Sequence, residues 1–142
     1  MMNKFCMQIS ALSSNEAFVR STVSAFCAHL NPTLEQLDEI KTAVSEAFTN
    51  CVVHAYSRDE QQTIDVEVSL EKGVASIIIE DHGKGIEDVE KAMQPFFTTR
   101  PDQERSGMGF TLMNTFMDSV TVTSQVGSGT RVVMTKIIKE DH

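Results

Sequence analysis

The chain has 142 residues, enough for one domain (1–142) with its own apolar core. Its 20 acidic and 12 basic side chains give a net charge of −8, which argues against a nucleic-acid-binding surface. No apolar run approaches the ~18 residues of a membrane span, and Cys6, Cys27 and Cys51 form no C-x-x-C, so free thiols in a reducing cytoplasm fit better than a disulfide frame or a zinc site.

Lys4 to Ile9 alternates and predicts a short strand with Phe5, Met7 and Ile9 on one side. The start is too alternating for a signal peptide. Ser13 with Glu16 three residues later matches a capping box for a helix running to about Leu30, with Val19, Val23, Phe26, Cys27 and Leu30 as its buried stripe. Glu16 and Arg20 lie four apart and away from that stripe, as an i,i+4 surface pair would. Asn31-Pro32-Thr33 breaks the chain, and Thr33 to Tyr56, without Gly or Pro, predicts one long helix.

Glu46, Asn50 and His54 recur every four residues on this helix, so they share a face. Apolar residues crowd the same segment, and a Glu and an Asn in such surroundings need partners. Alone, the stripe fits a half-exposed face as well as a site.

Ile64, Val66, Val68 and Leu70 alternate with polar residues, predicting a half-buried strand. Glu71-Lys72-Gly73 predicts a hairpin into Val74 to Glu80, which is more continuously apolar and belongs deeper in the sheet. Asp81-x-Gly83-x-Gly85 follows at once. The two glycines allow a tight turn and a close backbone approach, or merely a strand-to-loop turn. A short helix is expected from Glu87 to Met93.

Gln94 to Ser106 holds two prolines and adjacent phenylalanines without sustained period, as a packed lid would (about 94–106). Gly107-Met108-Gly109 opens a helix to about Phe116, and a Gly-x-Gly at a helix start suits phosphate. Two strands, from Val120 and from Thr130, end the chain around a Gly127-Ser128-Gly129 turn. The order β-α-α-β-β-(lid)-α-β-β predicts an α+β fold of two layers, helices on one face of a mixed, mostly antiparallel sheet.

Glu46-x-x-x-Asn50, Asp81-x-Gly83-x-Gly85, a lid, Gly107-x-Gly109 and Gly129-Thr130, in that order over nearly the whole chain, resemble the GHKL (Bergerat-fold) ATPase superfamily. The stretches Glu46 to Tyr56, Pro95 to Pro101 and Glu104 to Phe110 are most similar to the small anti-sigma factor serine kinases, of the sporulation sigma F type. Ala55, where relatives often have Gly, and Glu87, where Pro often stands, depart from that pattern at positions expected not to touch a ligand.

The resemblance implies ATP and Mg²⁺ as cofactors. Asn50 would offer its amide oxygen to Mg²⁺. Glu46 would be general base for a serine hydroxyl. Asp81, with Thr130 nearby, would accept from the adenine amino group, while Gly83 and Gly85 let the backbone approach base and sugar. Thr98, Thr99, Ser106, Gly107, Met108 and Gly109 would complete the nucleotide site, and Arg105 would offset charge at the γ-phosphate. Four basic residues against seven acidic ones between Glu80 and Gly109 leave phosphate neutralisation largely to the metal. The implied partners are a sigma factor, held in the ATP-bound state, an anti-anti-sigma protein phosphorylated on serine, and a second copy of the chain. Glu16 and Arg20 are the candidate partner surface. His54 is expected to be structural and His82 to lie on the loop surface. The alternative is a nucleotide-dependent binding switch without phosphotransfer, for which a retained Glu46 has no chemical use.

Overall fold

The computed structural model describes residues 1–93 and 109–138. Five strands form one sheet in the order β1-β2-β3-β5-β4: β1 (Asn3–Ser10), β2 (Thr63–Glu71), β3 (Val74–Asp81), β4 (Ser119–Gln125) and β5 (Gly129–Ile137). Every pairing among the described residues is antiparallel, so the mixed component expected of the sheet is not seen there. The more apolar β3 takes the centre, between β2 and β5. Lys72 and Gly73, both at positive φ, make the two-residue turn that joins β2 to β3, with Glu71 opposite Val74.

Alternation decides which face each strand buries. Ile64, Val66, Val68 and Leu70 of β2, and Ala75, Ile77 and Ile79 of β3, point into the core. There they meet the helical layer: α1 (Glu16–Cys27), α2 (Leu34–Asn50) and α4 (Gly109–Phe116). Helix α2 packs against both α1 and α4, and it buries Ile40, Val44, Ala47 and Phe48. A four-residue helix, α3 (Val89–Ala92), is shorter than expected and is capped by the Asp88 side chain.

Two local expectations are corrected. Ser13 caps nothing: it lies in a 3₁₀ turn (Ser13–Asn15), and α1 begins at Glu16 with no side-chain cap. Glu16 pairs with Arg20 (3.6 Å) rather than reaching back to the chain start, which removes half of the expected box. The capping box sits instead on α2, where Thr33 Oγ1 accepts from Gln36 N–H (3.1 Å) and the Gln36 side chain accepts from Thr33 N–H (2.9 Å).

The long helix is also not α throughout. After Asn50 it widens into a π turn, Cys51–Ala55, closed by Tyr56 N–H donating to the Cys51 carbonyl (3.0 Å). Such turns concentrate at functional sites.

Candidate functional site

The end of α2, the π turn, the segment after β3 and the start of α4 enclose a cavity of about 1210 Å³. Asn50, Cys51, His54, Asp81, Gly85, Gly109 and Thr130 line it. Glu46 lies just outside the lining and is half-buried. Gly109, the first residue of α4, sits directly on the Glu46–Asn50 stripe. A Cβ there would lie 3.3 Å from both terminal atoms of the Asn50 amide and 3.5 Å from Glu46 Oε2. One end of the cavity thus joins a carboxylate, an amide and a helix N-terminus, where backbone N–H groups are free of intrahelical partners.

Asp81 and Thr130 form the other end. They are cross-strand partners of β3 and β5, and both are buried. Gly83 N–H donates to Asp81 Oδ1 (2.9 Å), and the Cys51 thiol and the Thr130 backbone N–H also donate to its carboxylate. Burial nonetheless dominates and raises the Asp81 pKa above the ordinary carboxylate value, against the pull of these donors. The Cys51 thiol is pushed well up, first by burial and then by the Asp81 charge, so it is a poor nucleophile. Cys27, buried elsewhere in the core, is raised to about 12 by burial.

The turn after Asp81 is pinned from three sides. Tyr56 Oη accepts from His82 N–H (2.7 Å) and donates to the Thr63 carbonyl (2.8 Å). The Ala55 carbonyl accepts from Lys84 N–H (3.2 Å), and Lys84 in turn accepts from Gly127 N–H (2.8 Å). Ser124 Oγ accepts from Ile86 N–H (2.7 Å) and lies 2.8 Å from Thr130 Oγ1. Tyr56 and Ser124 escape a motif reading. Ser124 carried a signal, since it stands where Val120 and Val122 set an inward-facing apolar rhythm. Tyr56, the chain's one tyrosine, carried a weaker one at the end of the long helix.

The remaining candidates fall as follows. Gly83 lies behind the lining, against Ala55. Ala55 and Glu87, expected away from any ligand, both line the cavity, because the π turn brings the first to the wall and the irregular chain before α3 brings the second. Thr98, Thr99, Arg105, Ser106, Gly107 and Met108 lie outside the described residues, as does the lid over 94–106. His82 is exposed and pairs with Asp65 (3.1 Å) on the outer sheet face. Glu16 and Arg20 lie on α1 outside the cavity lining; they are half-buried beside Val19 and Val23 rather than away from that stripe, and exposed Phe18 lies on the opposite face.

The family model described as "histidine kinase-like ATPase domain" matches residues 9–136, which sets the chain among ATPases of that type. The anti-sigma F factor of Anoxybacillus flavithermus is 53% identical over 136 residues, 96% of this chain and 93% of its own. That of Clostridium perfringens strain SM101 is 50% identical over 134 residues, 94% of this chain and 96% of its own. The solved structure of the RsbU and RsbW domains of Rv1364c from Mycobacterium tuberculosis shares the fold, with a TM-score of 0.68 at 17% identity. The match covers 98% of this chain, which spans only 33% of that larger one. This chain belongs to the anti-sigma F factor family of histidine kinase-like ATPases.

Proposed function

We propose that the chain is an ATP- and Mg²⁺-dependent protein serine kinase that holds a sigma factor and phosphorylates the small antagonist that would release it. The observation that carries this reading is the two-ended cavity. A buried acceptor, Asp81, stands at one end; Glu46 and Asn50 meet the N-terminus of α4 at the other. This polarity suits a nucleotide with its base at Asp81 and its phosphates at α4.

At the base end the Asp81 carboxylate accepts the adenine amino group; a guanine carbonyl there would face the carboxylate and be rejected. At the phosphate end Glu46 takes the proton from the attacking serine hydroxyl. The serine oxygen then bonds to the γ-phosphorus, and ADP leaves with the electrons of the broken bond. Among the described residues no group of three or more His, Cys, Asp or Glu side chains could hold an ion alone. One amide oxygen, from Asn50, suits a hard cation that completes its shell with water and phosphate. Once bound, the ion would neutralise phosphate charge.

The reading includes a cytoplasmic location and a homodimeric assembly. Among the described residues no helix is long and apolar enough to cross a membrane. Glu16 and Arg20, ion-paired and half-buried on α1, are assigned as partner surface. The alternative is a nucleotide-driven binding switch without transfer, in which Glu46 would have no chemical role.

Transfer of labelled γ-phosphate to the candidate antagonist separates the two. Glu46→Gln should lower transfer by roughly 10²–10⁴-fold while ATP still binds, the usual worth of a general base. If wild type and variant bind ATP equally and neither transfers phosphate, the switch reading replaces the kinase.

A further inference from the structure

Lys136 occupies a core position. On β5 it follows Val132 and Met134 in the inward-facing register, and it is 8% exposed. A buried ammonium needs partners. It finds two, one from each helix that builds the phosphate end of the cavity: Glu39 Oε1 of α2 at 3.2 Å, and the backbone carbonyl of Phe116, the last residue of α4. A cation at that carbonyl also meets the negative end of the α4 dipole.

The positions of these partners carry the argument. Glu39 and Glu46 are seven residues apart on α2, so they lie within about 20° of one face and about 10 Å apart along the axis. Helix α4 packs against α2 and meets this face at both ends: Lys136 holds its C-terminus, and at its N-terminus Gly109 comes so close to Asn50 and Glu46 that an added Cβ would stand 3.3 and 3.5 Å from them. The anchor itself is fixed, because Asp118, just after α4, accepts from Ile137 N–H (2.6 Å) and donates its own N–H to the Thr135 carbonyl (2.8 Å).

We propose that Lys136 is a positioning residue for phosphoryl transfer: by locking the end of α4 to Glu39, it sets where the start of α4 stands against Glu46 and Asn50. An eight-residue helix is about 12 Å of rigid rod, so play at one end is passed to the other. Displacement of about 1 Å at a reacting group can cost on the order of 10²-fold in rate. This inference rests on the nucleotide reading above.

The test compares wild type with Lys136→Met, Lys136→Arg and Glu39→Gln. For each, the melting temperature, the affinities for ATP and ADP, and kcat for transfer to the antagonist are measured. Glu39→Gln removes a partly exposed carboxylate and keeps the Lys136 bond to Phe116, so it remains informative if Lys136→Met fails to fold. Expected are a kcat lowered about tenfold or more in the folded variants, a reduced preference for ATP over ADP with ADP affinity little changed, and partial recovery in Lys136→Arg. A purely structural lysine would lower the melting temperature and leave kcat and the ATP:ADP ratio of folded protein unchanged; that result overturns the proposal. A wild type that binds neither nucleotide overturns the nucleotide reading itself and this inference with it. A wild type that binds and transfers, matched by folded variants, overturns the inference alone.

Discussion

Asp81→Asn is the sharpest test of the base end. Among the described residues, the groups that hydrogen-bond to the Asp81 carboxylate are donors: Gly83 N–H, the Cys51 thiol and Thr130 N–H. An asparagine can satisfy these donors only through its one oxygen. Its NH₂ must then face either a protein donor or the cavity, where the adenine amino group is also a donor. The substitution therefore loses a hydrogen bond to a charged acceptor, worth about 1.5–3 kcal/mol, or roughly 10–150-fold in Kd. Titration of ATP and of adenosine by calorimetry should show the same loss for both, since the phosphates are not involved. A variant that binds both as tightly as wild type would refute the assignment of Asp81 to the base.

The raised pKa of Asp81 adds a pH signature. A carboxyl with a folded pKa above its unfolded value holds its proton more tightly when folded. Its contribution to stability is therefore present at low pH and is lost as pH rises through the interval between the unfolded and folded values. Binding runs the other way. In the proposed assignment the adenine amino group donates to the ionised Asp81, so adenosine affinity should fall as pH drops through the raised Asp81 pKa. Asp81→Asn should bind weakly at all pH values and lack this step.

Two further substitutions separate fold from site. Gly83→Ala would place a Cβ 2.5 Å from the Ala55 carbonyl oxygen, a backbone atom that cannot swing away. Overpacking of this kind costs about 1–3 kcal/mol, and it should weaken adenosine binding together with melting temperature. Thr33→Ala removes one side of the capping box on α2, far from the cavity, and should cost about 1 kcal/mol, or roughly 3 °C in melting temperature, with ATP affinity unchanged.

The strands were legible because alternation of β-branched and polar residues is a direct image of a one-sided sheet. Ile64 to Leu70 alternates in sequence and is buried at those same positions in the fold. Spacing also made Glu46 and Asn50 neighbours, since both precede the π turn and ideal helical geometry holds for them. What sequence could not give depends on contacts distant along the chain. Ser13-x-x-Glu16 and Thr33-x-x-Gln36 both match the capping-box pattern, and only the second lies at an α-helix start, because Ser13 falls in a 3₁₀ turn. The partners of Lys136 lie 97 and 20 residues away, and nothing in the pattern of β5 announces them. The π turn adds a residue to one helical turn without any Gly or Pro to mark it.

The glycines after Asp81 have a packing role beside the ligand role that the resemblance implies. In Asp81-x-Gly83-x-Gly85 they suggest a backbone thinned to admit a ligand. Yet the space a side chain would need at Gly83 is already filled by the Ala55 carbonyl. The space at Gly85, which has φ +79°, is filled by the backbone of Gln125 and Val126. That packing has a consequence for the site. The π turn ends at Ala55 with carbonyls lacking helical partners, and the close approach of Gly83 lets Lys84 N–H donate to one of them. The segment after β3 thereby closes the end of the α2 helical run. It fixes Asp81 on one strand relative to Asn50 on the helix, across the width of the cavity. The fold thus requires Gly83 before any ligand does, and the spacing between the two ends of the site rests on chain packing against chain.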